Sequence, residues 1–303
     1  MGLLDGKVVA ITGAGAGIGR EEALLAAKQG AKVVVNDLGG ARDGSGASTK
    51  VAEQVAEEIR KGGGEAIAHT LDISTAEGGS SLIKMGVDKW GRFDALINNA
   101  GILRDKMSFN MTDEEWDSVI KVHMRGHFMC ARAAVSYFRE AAKQNKLPNG
   151  GAIVNTSSTS GLLGNAGQVN YGAAKLGIVG MSGVLALEFA KYNIRINAIA
   201  PMALTRLTED LPIAGMLKAA TPAHIAPLVI FLCSDAAAGI TGQVFGVFGN
   251  VFQLWRLPRP AHFWQTKDVW DPNDIAKLAG EIKALIPKVN PPYMPGSPGP
   301  KMA

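Results

Sequence analysis

A tyrosine and a lysine stand four residues apart in Tyr171-Gly-Ala-Ala-Lys175, and this spacing places both side chains on one face of a helix. An isolated tyrosine has a pKa of about 10 and is a poor base at neutral pH. A nearby ammonium group lowers that pKa by stabilising the phenolate. Ser157 and Ser158 follow a predicted strand, at the sheet edge where such folds bind ligands. The pattern predicts an acid/base site built on Tyr171.

A glycine-rich turn, Thr12-Gly-Ala-Gly-Ala-Gly-Ile-Gly19, follows the first predicted strand. A strand, such a turn and a helix N-terminus form an anion site, because backbone N–H groups point outward and the helix dipole favours negative charge. The spacing is T-G-x-x-x-G-x-G, not G-x-G-x-x-G. We interpret it as a phosphate-binding turn; the alternative is an ordinary tight turn between strand and helix.

Asp37 ends the second predicted strand, where an acid that binds the adenosine ribose of a dinucleotide is expected. Its carboxylate would accept hydrogen bonds from the ribose hydroxyls and repel a 2′-phosphate, and Ala16 supplies no basic group for such a phosphate. The expected cofactor is therefore NAD. Arg42 in the next loop leaves NADP as the weaker alternative, and Asp37 could instead only cap its loop.

Two histidines, His123 and His127, also stand four apart in a predicted helix, which is the spacing of paired zinc ligands. A zinc site needs further ligands, and the sequence contains no H-E-x-x-H motif. We therefore expect no metal. The pair is then a catalytic histidine with a neighbour or two unrelated residues, and His127 is expected to pack or to lie at an interface.

Alternating strand-like and helix-like segments would position these residues, and they predict an α/β fold with one doubly wound, parallel, seven-stranded sheet. The strand-like runs are apolar throughout, as in strands covered on both faces. Strands are predicted over 7–12, 31–37, 65–72, 93–99, 151–157, 194–200 and 242–249. Helices are predicted over 18–29, 48–61, 79–90, 113–144, 169–191 and 222–234.

Residues 251–303 differ from the rest, since they hold nine of the fourteen prolines and three of the five tryptophans. One helix is predicted there, with Asp271 as its cap and Pro272 in its first turn. Tryptophans in a proline-rich segment favour packing against a folded surface. The sequence thus predicts one domain over 1–250 and a C-terminal arm that packs on it or on a neighbouring subunit.

The composition of the 303 residues, 47% hydrophobic and 19% charged, is that of a folded globular protein. A net charge of +4 is too small to indicate nucleic-acid binding. Cys130 and Cys233 lie in apolar helical runs and favour a reducing compartment. No apolar leader and no peroxisomal C-terminal signal is found, so we expect a cytoplasmic protein without a membrane partner.

Over residues 5–250 the chain resembles the short-chain dehydrogenase/reductase family through TGAGAGIG (12–19), Asp72, NNAG (98–101), Ser158, YGAAK (171–175) and NAIAP (197–201). The resemblance implies a Rossmann-type sheet and an NAD(P)-dependent oxidoreductase of alcohols and ketones. Tyr171 would be the general acid/base, Lys175 would lower its pKa, and Ser158 would bind the reacting oxygen. The implied cofactor contacts are Gly13, Ala16, Gly17, Ile18, Gly19, Asp37, Asp72, Ile73, Asn99, Ala100, Gly101, Tyr171, Lys175 and Pro201.

One position departs from the family pattern. Many members carry an asparagine within N-x-x-G of the long helix, where it supports a water linked to the lysine, and here that residue is His123. Imidazole both donates and accepts hydrogen bonds, so it can hold the same water. Because it can also titrate near neutral pH, we include His123 among the expected catalytic residues.

VVVNDLGG (33–40), VHMRGHF (122–128) and residues 172–201 resemble one branch, the (3R)-hydroxyacyl-CoA dehydrogenase part of peroxisomal type 2 multifunctional enzymes and its stand-alone bacterial relatives. That branch implies NAD-linked oxidation of fatty or sterol-derived 3-hydroxyacyl-CoA. The apolar segment after Pro201 is where the family places its substrate loop, although its residues could simply pack. The expected substrate contacts are Ser158, Leu163, Tyr171, Met202 and Leu204.

Other functions stay open at this point: a 3-oxoacyl-carrier-protein reductase, a steroid or other alcohol dehydrogenase, and a non-catalytic NAD-binding module. Asp37 argues against an NADPH-fed reductase, and the complete set of Ser158, Tyr171 and Lys175 argues against a module. The resemblance also implies a homodimer or homotetramer, with helices 113–144 and 169–191 as the contact surfaces.

Overall fold

The structure is a computed structural model that describes residues 2–204, 220–256, 260, 262–265, 269 and 271–285. By its internal contacts the chain divides into two units, Met1–Trp255 and Arg256–Ala303. The division falls after Trp255, five residues later than the boundary predicted from composition. The first unit contains the predicted dinucleotide-binding segments.

An eight-stranded sheet forms the centre of the first unit, in the order β3-β2-β1-β4-β5-β6-β7-β8. Its strands are β1 (Val8–Thr12), β2 (Lys32–Asn36), β3 (Glu65–His69), β4 (Ala95–Asn98), β5 (Ala152–Thr156), β6 (Arg195–Met202), β7 (Val244–Phe248) and β8 (Val251–Trp255). All neighbours pair in parallel except β7 and β8. The strand order reverses between β1 and β4, and such a switch point is where ligands bind in these sheets.

Helices cover both faces of this sheet. They are α1 (Gly17–Lys28), α2 (Lys50–Lys61), α3 (Ala76–Trp90), α4 (Asp113–Ile120), α5 (Gly126–Lys143), α6 (Thr159–Leu163), α7 (Val169–Phe189) and α8 (Ala226–Cys233). Buried residues of α1, α2 and α8 form one apolar layer, and those of α3, α5 and α7 form the other. Strand β1 sends Val9 and Ile11 into the first layer and Val8 and Ala10 into the second. Both faces are therefore covered, and the predicted doubly wound α/β class is confirmed.

The predicted strand count of seven is one too low, because VFQLW (251–255) forms β8 and not the start of the arm. Strand β8 pairs antiparallel with β7, from Val244 opposite Trp255 to Phe248 opposite Val251. The two strands are joined by Gly249-Asn250, and Gly249 adopts a φ of 51°. A Gly-Asn pair between two apolar runs is a hairpin signal, and the neighbouring proline-rich composition masked it.

The single helix predicted over 113–144 is interrupted. Helix α4 begins at the predicted capping box, in which Thr112 and Glu115 satisfy each other's backbone N–H groups. Residues Lys121–Arg125 then form a π turn before α5 starts at Gly126. Sequence periodicity does not reveal such a turn, and π turns are frequent at functional sites. His123 lies within it.

The second unit contains α9 (Pro272–Lys277) and α10 (Ala279–Leu285). The predicted cap is confirmed, since the Asp271 carboxylate accepts a hydrogen bond of 2.7 Å from Asn273 N. The one predicted helix is two short helices. The packing of this unit as an arm stays a prediction.

Glu22 in α1 is fully buried, and neither of its carboxyl oxygens has a hydrogen-bond partner among the described residues. Burial raises the pKa of Glu22 from 4.5 to about 8. The folded protein therefore holds this proton at neutral pH, whereas the unfolded chain releases it above its ordinary pKa. The free energy of unfolding should fall by about 1.4 kcal/mol per pH unit as the pH rises between these two values.

Glu22→Gln should remove this loss of stability. The variant should match the wild type near pH 5 and exceed it by about 4 kcal/mol near pH 8, measured by urea unfolding at several pH values. Glu21→Gln is the control, since Glu21 is only half-buried and pairs with Arg20 at 2.7 Å. Parallel stability curves for Glu22→Gln and the wild type would show that Glu22 does not keep its proton.

Candidate active site

The structure brings Ser158, Tyr171 and Lys175 together at the carboxyl edge of the sheet. Ser158 follows β5 as the N-cap of α6, and Tyr171 and Lys175 lie in the first turns of α7. The Ser158 hydroxyl hydrogen-bonds the Tyr171 phenol. Lys175 Nζ lies 5.4 Å from the centroid of the Tyr171 ring. The arrangement can hold a substrate oxygen between the serine hydroxyl and the phenol.

Two neighbouring serines have separate tasks. Ser157 Oγ donates to the carbonyl of Lys175 at 2.7 Å and so ties α7 to the end of β5. Ser158 Oγ accepts from Ser160 N at 3.1 Å. Ser158, and not Ser157, therefore caps α6, because successive side chains of an extended segment point in opposite directions.

Asn170 holds the start of α7, a role that the sequence did not predict. Its Oδ1 accepts from Tyr171 N at 2.7 Å, and its Nδ2 donates to the carbonyls of Arg104 and Glu115 at 3.0 Å each. The segment carrying Tyr171 is thereby fixed against the chain that follows β4. Its position next to the tyrosine was the only sequence signal available.

Burial acts on both members of the Tyr171–Lys175 pair. It raises the pKa of Tyr171 to about 12, opposed by the Ser158 hydrogen bond, and lowers the pKa of Lys175 to about 7. Lys175 Nζ donates to the carbonyl of Thr156 at 2.6 Å. The predicted lowering of the tyrosine's pKa is therefore not supplied by these two side chains alone. A further positive charge beside the phenol is needed to favour phenolate.

His123 packs directly on the site. Its ring meets that of Tyr171 edge-on, with centroids 5.2 Å apart. Its Nε2 lies 2.9 Å from the carbonyl oxygen and 3.2 Å from the amide nitrogen of Ile102. A Cβ at Gly101 would come within 2.3 Å of His123 Cε1. Gly101 is thus required for the imidazole to occupy this place.

His123 does not behave as a neutral-pH switch. Burial, and then the positive charge of Lys175, lower the pKa of His123 well below 6.5. The ring is therefore neutral over the physiological range, and the predicted titration near neutral pH is not supported. His127, in the first turn of α5, is completely buried, which agrees with its predicted role in packing.

A cleft at the switch point gathers most of the predicted cofactor residues: Gly13, Ala16, Gly17, Ile18, Asp37, Asp72, Ile73, Asn99, Ala100 and Gly101. Gly19, Tyr171, Lys175 and Pro201 do not line it. Residues that the sequence did not predict also line it, namely Asn36, Leu38, Gly40, Ala41, Gly44, Leu71, Ile102 and Val122. Several of these belong to the glycine-rich loop after Asp37, so its length was the available signal.

The glycine turn fits a dinucleotide phosphate. Gly13 and Gly17 adopt φ angles of 64° and 56°, and a Cβ at Gly13 would lie 2.7 Å from Ala100 Cα. Helix α1 starts after Ala16 without a side-chain cap, and its first turn contains no acidic residue. Its first N–H groups are therefore available to an anion. NAD or NADP, when bound there, would supply the hydride acceptor or donor.

Two aspartates face the cleft in fixed positions. Asp37 Oδ2 accepts from Gly15 N at 2.8 Å and Oδ1 from Gly39 N at 2.6 Å. Asp72 Oδ1 accepts from Ser74 N at 2.8 Å. The Asp37 contacts place a carboxylate at the end of β2, where an adenosine ribose would lie.

The predicted substrate residues are only partly described. Leu163 ends α6 with 46% of its surface exposed. Met202 is the last residue of β6, and Leu204 N donates to the carbonyl of Ala220 at 2.7 Å. The rest of the predicted substrate loop, 205–219, lies outside the described residues. Within the described part of the chain, no three His, Cys, Asp or Glu side chains are grouped to hold a metal ion.

A family model described as short chain dehydrogenase matches residues 7–212. The chain belongs to the short-chain dehydrogenase family. It is therefore an oxidoreductase of CH–OH groups of the NAD(P)-binding type. A crystal structure of a short-chain dehydrogenase from Mycobacterium avium superposes with a TM-score of 0.84, at 41% identity, over 96% of this chain and 98% of that one.

Named relatives narrow the likeness within the short-chain dehydrogenases. Rv0148 of Mycobacterium tuberculosis, named as a short-chain type dehydrogenase/reductase, is 49% identical over 82% of this chain and 84% of its own. The hydroxyacyl-CoA dehydrogenase ChsB1 of the same organism is 42% identical over 90% and 87%. The peroxisomal multifunctional enzyme type 2 of Drosophila melanogaster is 43% identical over 88% of this chain, which spans 45% of that enzyme.

His123→Asn should preserve every ionisation in the pH profile of kcat/KM, because the imidazole is already neutral across the accessible range. The measurement is the rate of nicotinamide reduction or oxidation between pH 5.5 and pH 9.5, on about half-unit steps. Tyr171→Phe serves as the control that removes an ionisable group from the site. Loss of one ionisation in His123→Asn would show that His123 exchanges a proton during turnover.

Proposed function

We propose that this protein is an NAD-dependent 3-hydroxyacyl-CoA dehydrogenase that interconverts a 3-hydroxyacyl-CoA and a 3-oxoacyl-CoA. The proposal is carried by similarity over nearly the whole length to a relative named as a hydroxyacyl-CoA dehydrogenase. The assembled Ser158, Tyr171 and Lys175 side chains supply the chemistry that such a reaction needs. Fatty-acyl and sterol-derived chains are both within the proposal.

In the oxidation, the Tyr171 phenolate takes the proton of the substrate hydroxyl, and bound NAD would supply the acceptor for the hydride on the carbon that carries this hydroxyl. In the reduction, the phenol returns that proton to the carbonyl oxygen. Ser158 holds this oxygen by a hydrogen bond and keeps it next to the phenol. The pKa of Tyr171 is about 12 through burial, so efficient proton transfer needs phenolate to be stabilised within the closed site. Lys175 and the positive nicotinamide ring of bound NAD are the charges that favour it.

The preference for NAD over NADP rests on Asp37. Its carboxylate is fixed by Gly15 N and Gly39 N, so it would accept from ribose hydroxyls and repel a 2′-phosphate. A Cβ at Gly15 would come within 2.3 Å of Val51 Cγ1, so the turn has no room for a basic side chain at that position. Ala16 supplies none either.

The apolar side chains described near the Ser158–Tyr171 pair favour a substrate with an apolar acyl chain. Leu163 is partly exposed at the end of α6, Met202 ends β6 and Leu204 follows it. These side chains and the Ser158–Tyr171 pair all belong to segments at the carboxyl ends of β5 and β6. We propose that the apolar side chains contact the acyl chain of the substrate, while Ser158 holds its reacting oxygen.

A second copy of the chain is proposed to cover α7. This helix, with the turn Ala190–Tyr192, is long and apolar enough to cross a membrane by length and composition alone, and 39% of its most apolar window is buried. Leu176, Val184 and Leu187 are exposed at 48%, 56% and 82%. A helix that carries an active-site tyrosine and lysine at one end has its apolar outer face left for a partner subunit. We propose a homodimer or homotetramer.

A cytoplasmic location is also proposed. Cys130 and Cys233 are both buried free thiols, as expected in a reducing compartment. Fractionation of the native cells would contradict the proposal if the protein were recovered outside the cytoplasmic fraction.

Purified enzyme should reduce acetoacetyl-CoA with NADH at a higher kcat/KM than with NADPH. Tyr171→Phe should lower turnover by about 10²–10⁴-fold, because the phenol's proton transfer is lost, and Asp37→Ala should narrow the preference for NADH. Leu71→Ala, which also changes the lining of the cleft, is the control for a loss of packing there. Unchanged turnover in Tyr171→Phe would contradict the mechanism, and a strong NADPH preference would contradict the cofactor assignment.

Leu187→Glu should weaken the oligomer by more than about tenfold in its dissociation constant, because it buries like charges across a symmetric contact. Sedimentation equilibrium at micromolar concentrations measures the change. Leu3→Glu is the matched control, since Leu3 is also exposed but precedes β1 and does not belong to α7. A monomeric wild type, or an unaltered Leu187→Glu oligomer, would contradict the proposed contact.

A further inference from the structure

A group of buried polar atoms beside the active site has no hydrogen-bond partner among the described residues. These atoms are His123 Nδ1, both ring nitrogens of His127, and Asn98 Oδ1. All three side chains are completely buried or within 1% of it. Buried polar atoms are normally bonded to protein or to ordered water, since an unbonded one is costly. Three such side chains in one place therefore indicate a shared partner.

The three side chains come from neighbouring elements. Asn98 ends β4, and its Nδ2 donates to Asn155 Oδ1 at 2.9 Å and to the His127 carbonyl at 3.3 Å. His123 lies in the π turn and His127 in the first turn of α5, with ring centroids 6.5 Å apart. That separation is too long for a direct hydrogen bond between the rings, and it leaves room for one bridging molecule.

Lys175 is the charged group that faces both rings. Its positive charge adds to burial in lowering the pKa of His123 and of His127, whereas the backbone carbonyls of Asn98 and His123 oppose the shift at His127. Both imidazoles are therefore neutral. Each neutral ring carries one donor nitrogen and one acceptor nitrogen, so the two rings and Asn98 Oδ1 together offer a bridging water both donors and acceptors.

The contacts of His123 Nε2 do not determine the tautomer of the ring. Nε2 lies within hydrogen-bond distance of both the carbonyl and the amide of Ile102, so it can serve as donor or as acceptor. The choice depends on what Nδ1 meets on the opposite side of the ring. This matters for the site, because the His123 ring packs edge-on against the ring of Tyr171.

We propose that His127 is a positioning residue: with Asn98 and His123 it holds one buried water, which fixes the tautomer of His123 and thereby the placement of Tyr171. A buried water needs two to four polar partners, and the three side chains supply them. A histidine that only filled space would be better replaced by an apolar side chain of similar size, because its two ring nitrogens would then cost desolvation without return.

The test compares His127→Gln, which keeps a donor and an acceptor, with His127→Phe, which removes both. Nitrogen-15 spectra of the histidine rings report the tautomer of His123 without any substrate, so this reading is independent of the proposed dehydrogenase activity. We expect one dominant His123 tautomer in the wild type and in His127→Gln. In His127→Phe we expect a changed or mixed tautomer. Met129→Leu, on the same helix, is the control for repacking.

The kinetic arm rests on the proposed function. His127→Phe should lower kcat by about tenfold with less than about a twofold change in KM, because it disturbs placement of the acid/base and not binding. His127→Gln should recover most of that loss. If neither acyl-CoA nor any other alcohol is turned over, the proposed function fails while the tautomer result still stands or falls by itself.

A third measurement covers the case in which His127→Phe does not fold. A wild-type crystal structure at about 1.5 Å or better should show a water within about 3.2 Å of a ring nitrogen of both histidines. A dry space between the rings would overturn the proposal. So would an unchanged His123 tautomer in a folded His127→Phe variant.

Discussion

One hydroxyl group joins the two strands between which the candidate site opens. Thr12 Oγ1, at the end of β1, accepts hydrogen bonds from Asn99 N at 3.0 Å and Ala100 N at 3.1 Å, just after β4. The side-chain amide of Asn99 in turn donates hydrogen bonds to the carbonyls of Thr12 and Gly13. Because β1 and β4 flank the switch point, this clamp sets the width of the cleft. It also fixes Gly101, against which His123 packs.

Burial governs the chemistry that the clamp makes possible. Both Tyr171 and Lys175 are pushed toward their neutral forms, with pKa values of about 12 and about 7. In the protein alone, therefore, little of Tyr171 is present as the phenolate that proton transfer requires. A positive nicotinamide ring, when bound beside the phenol, would favour phenolate, since charges interact strongly in a low-dielectric site.

The layers of the fold and the grouping of Ser158, Tyr171 and Lys175 could be predicted from the sequence, because both depend on local sequence pattern. Apolar runs covered on two faces identified the parallel strands, and the glycine turn, Asp37 and Tyr171–Lys175 kept fixed spacings. The sequence was not sufficient where tertiary packing decides. The π turn at Lys121–Arg125 has no periodicity of its own, and a proline-rich context obscured β8. Which of Ser157 and Ser158 caps α6 depends on which side chain faces that helix. The pKa shifts depend on burial, which no spacing reveals.

The histidine that replaces the usual asparagine shows how one substitution spreads through such a site. An imidazole is larger than a carboxamide, and the room for it comes from Gly101, where a Cβ would reach within 2.3 Å of the ring. The glycine of NNAG thus serves two neighbours at once, the cofactor cleft on one side and His123 on the other. Because the ring is buried and neutral, its contribution is shape and hydrogen bonding, not charge. Any residue that completes the hydrogen bonding of that ring therefore acts on Tyr171 without touching substrate.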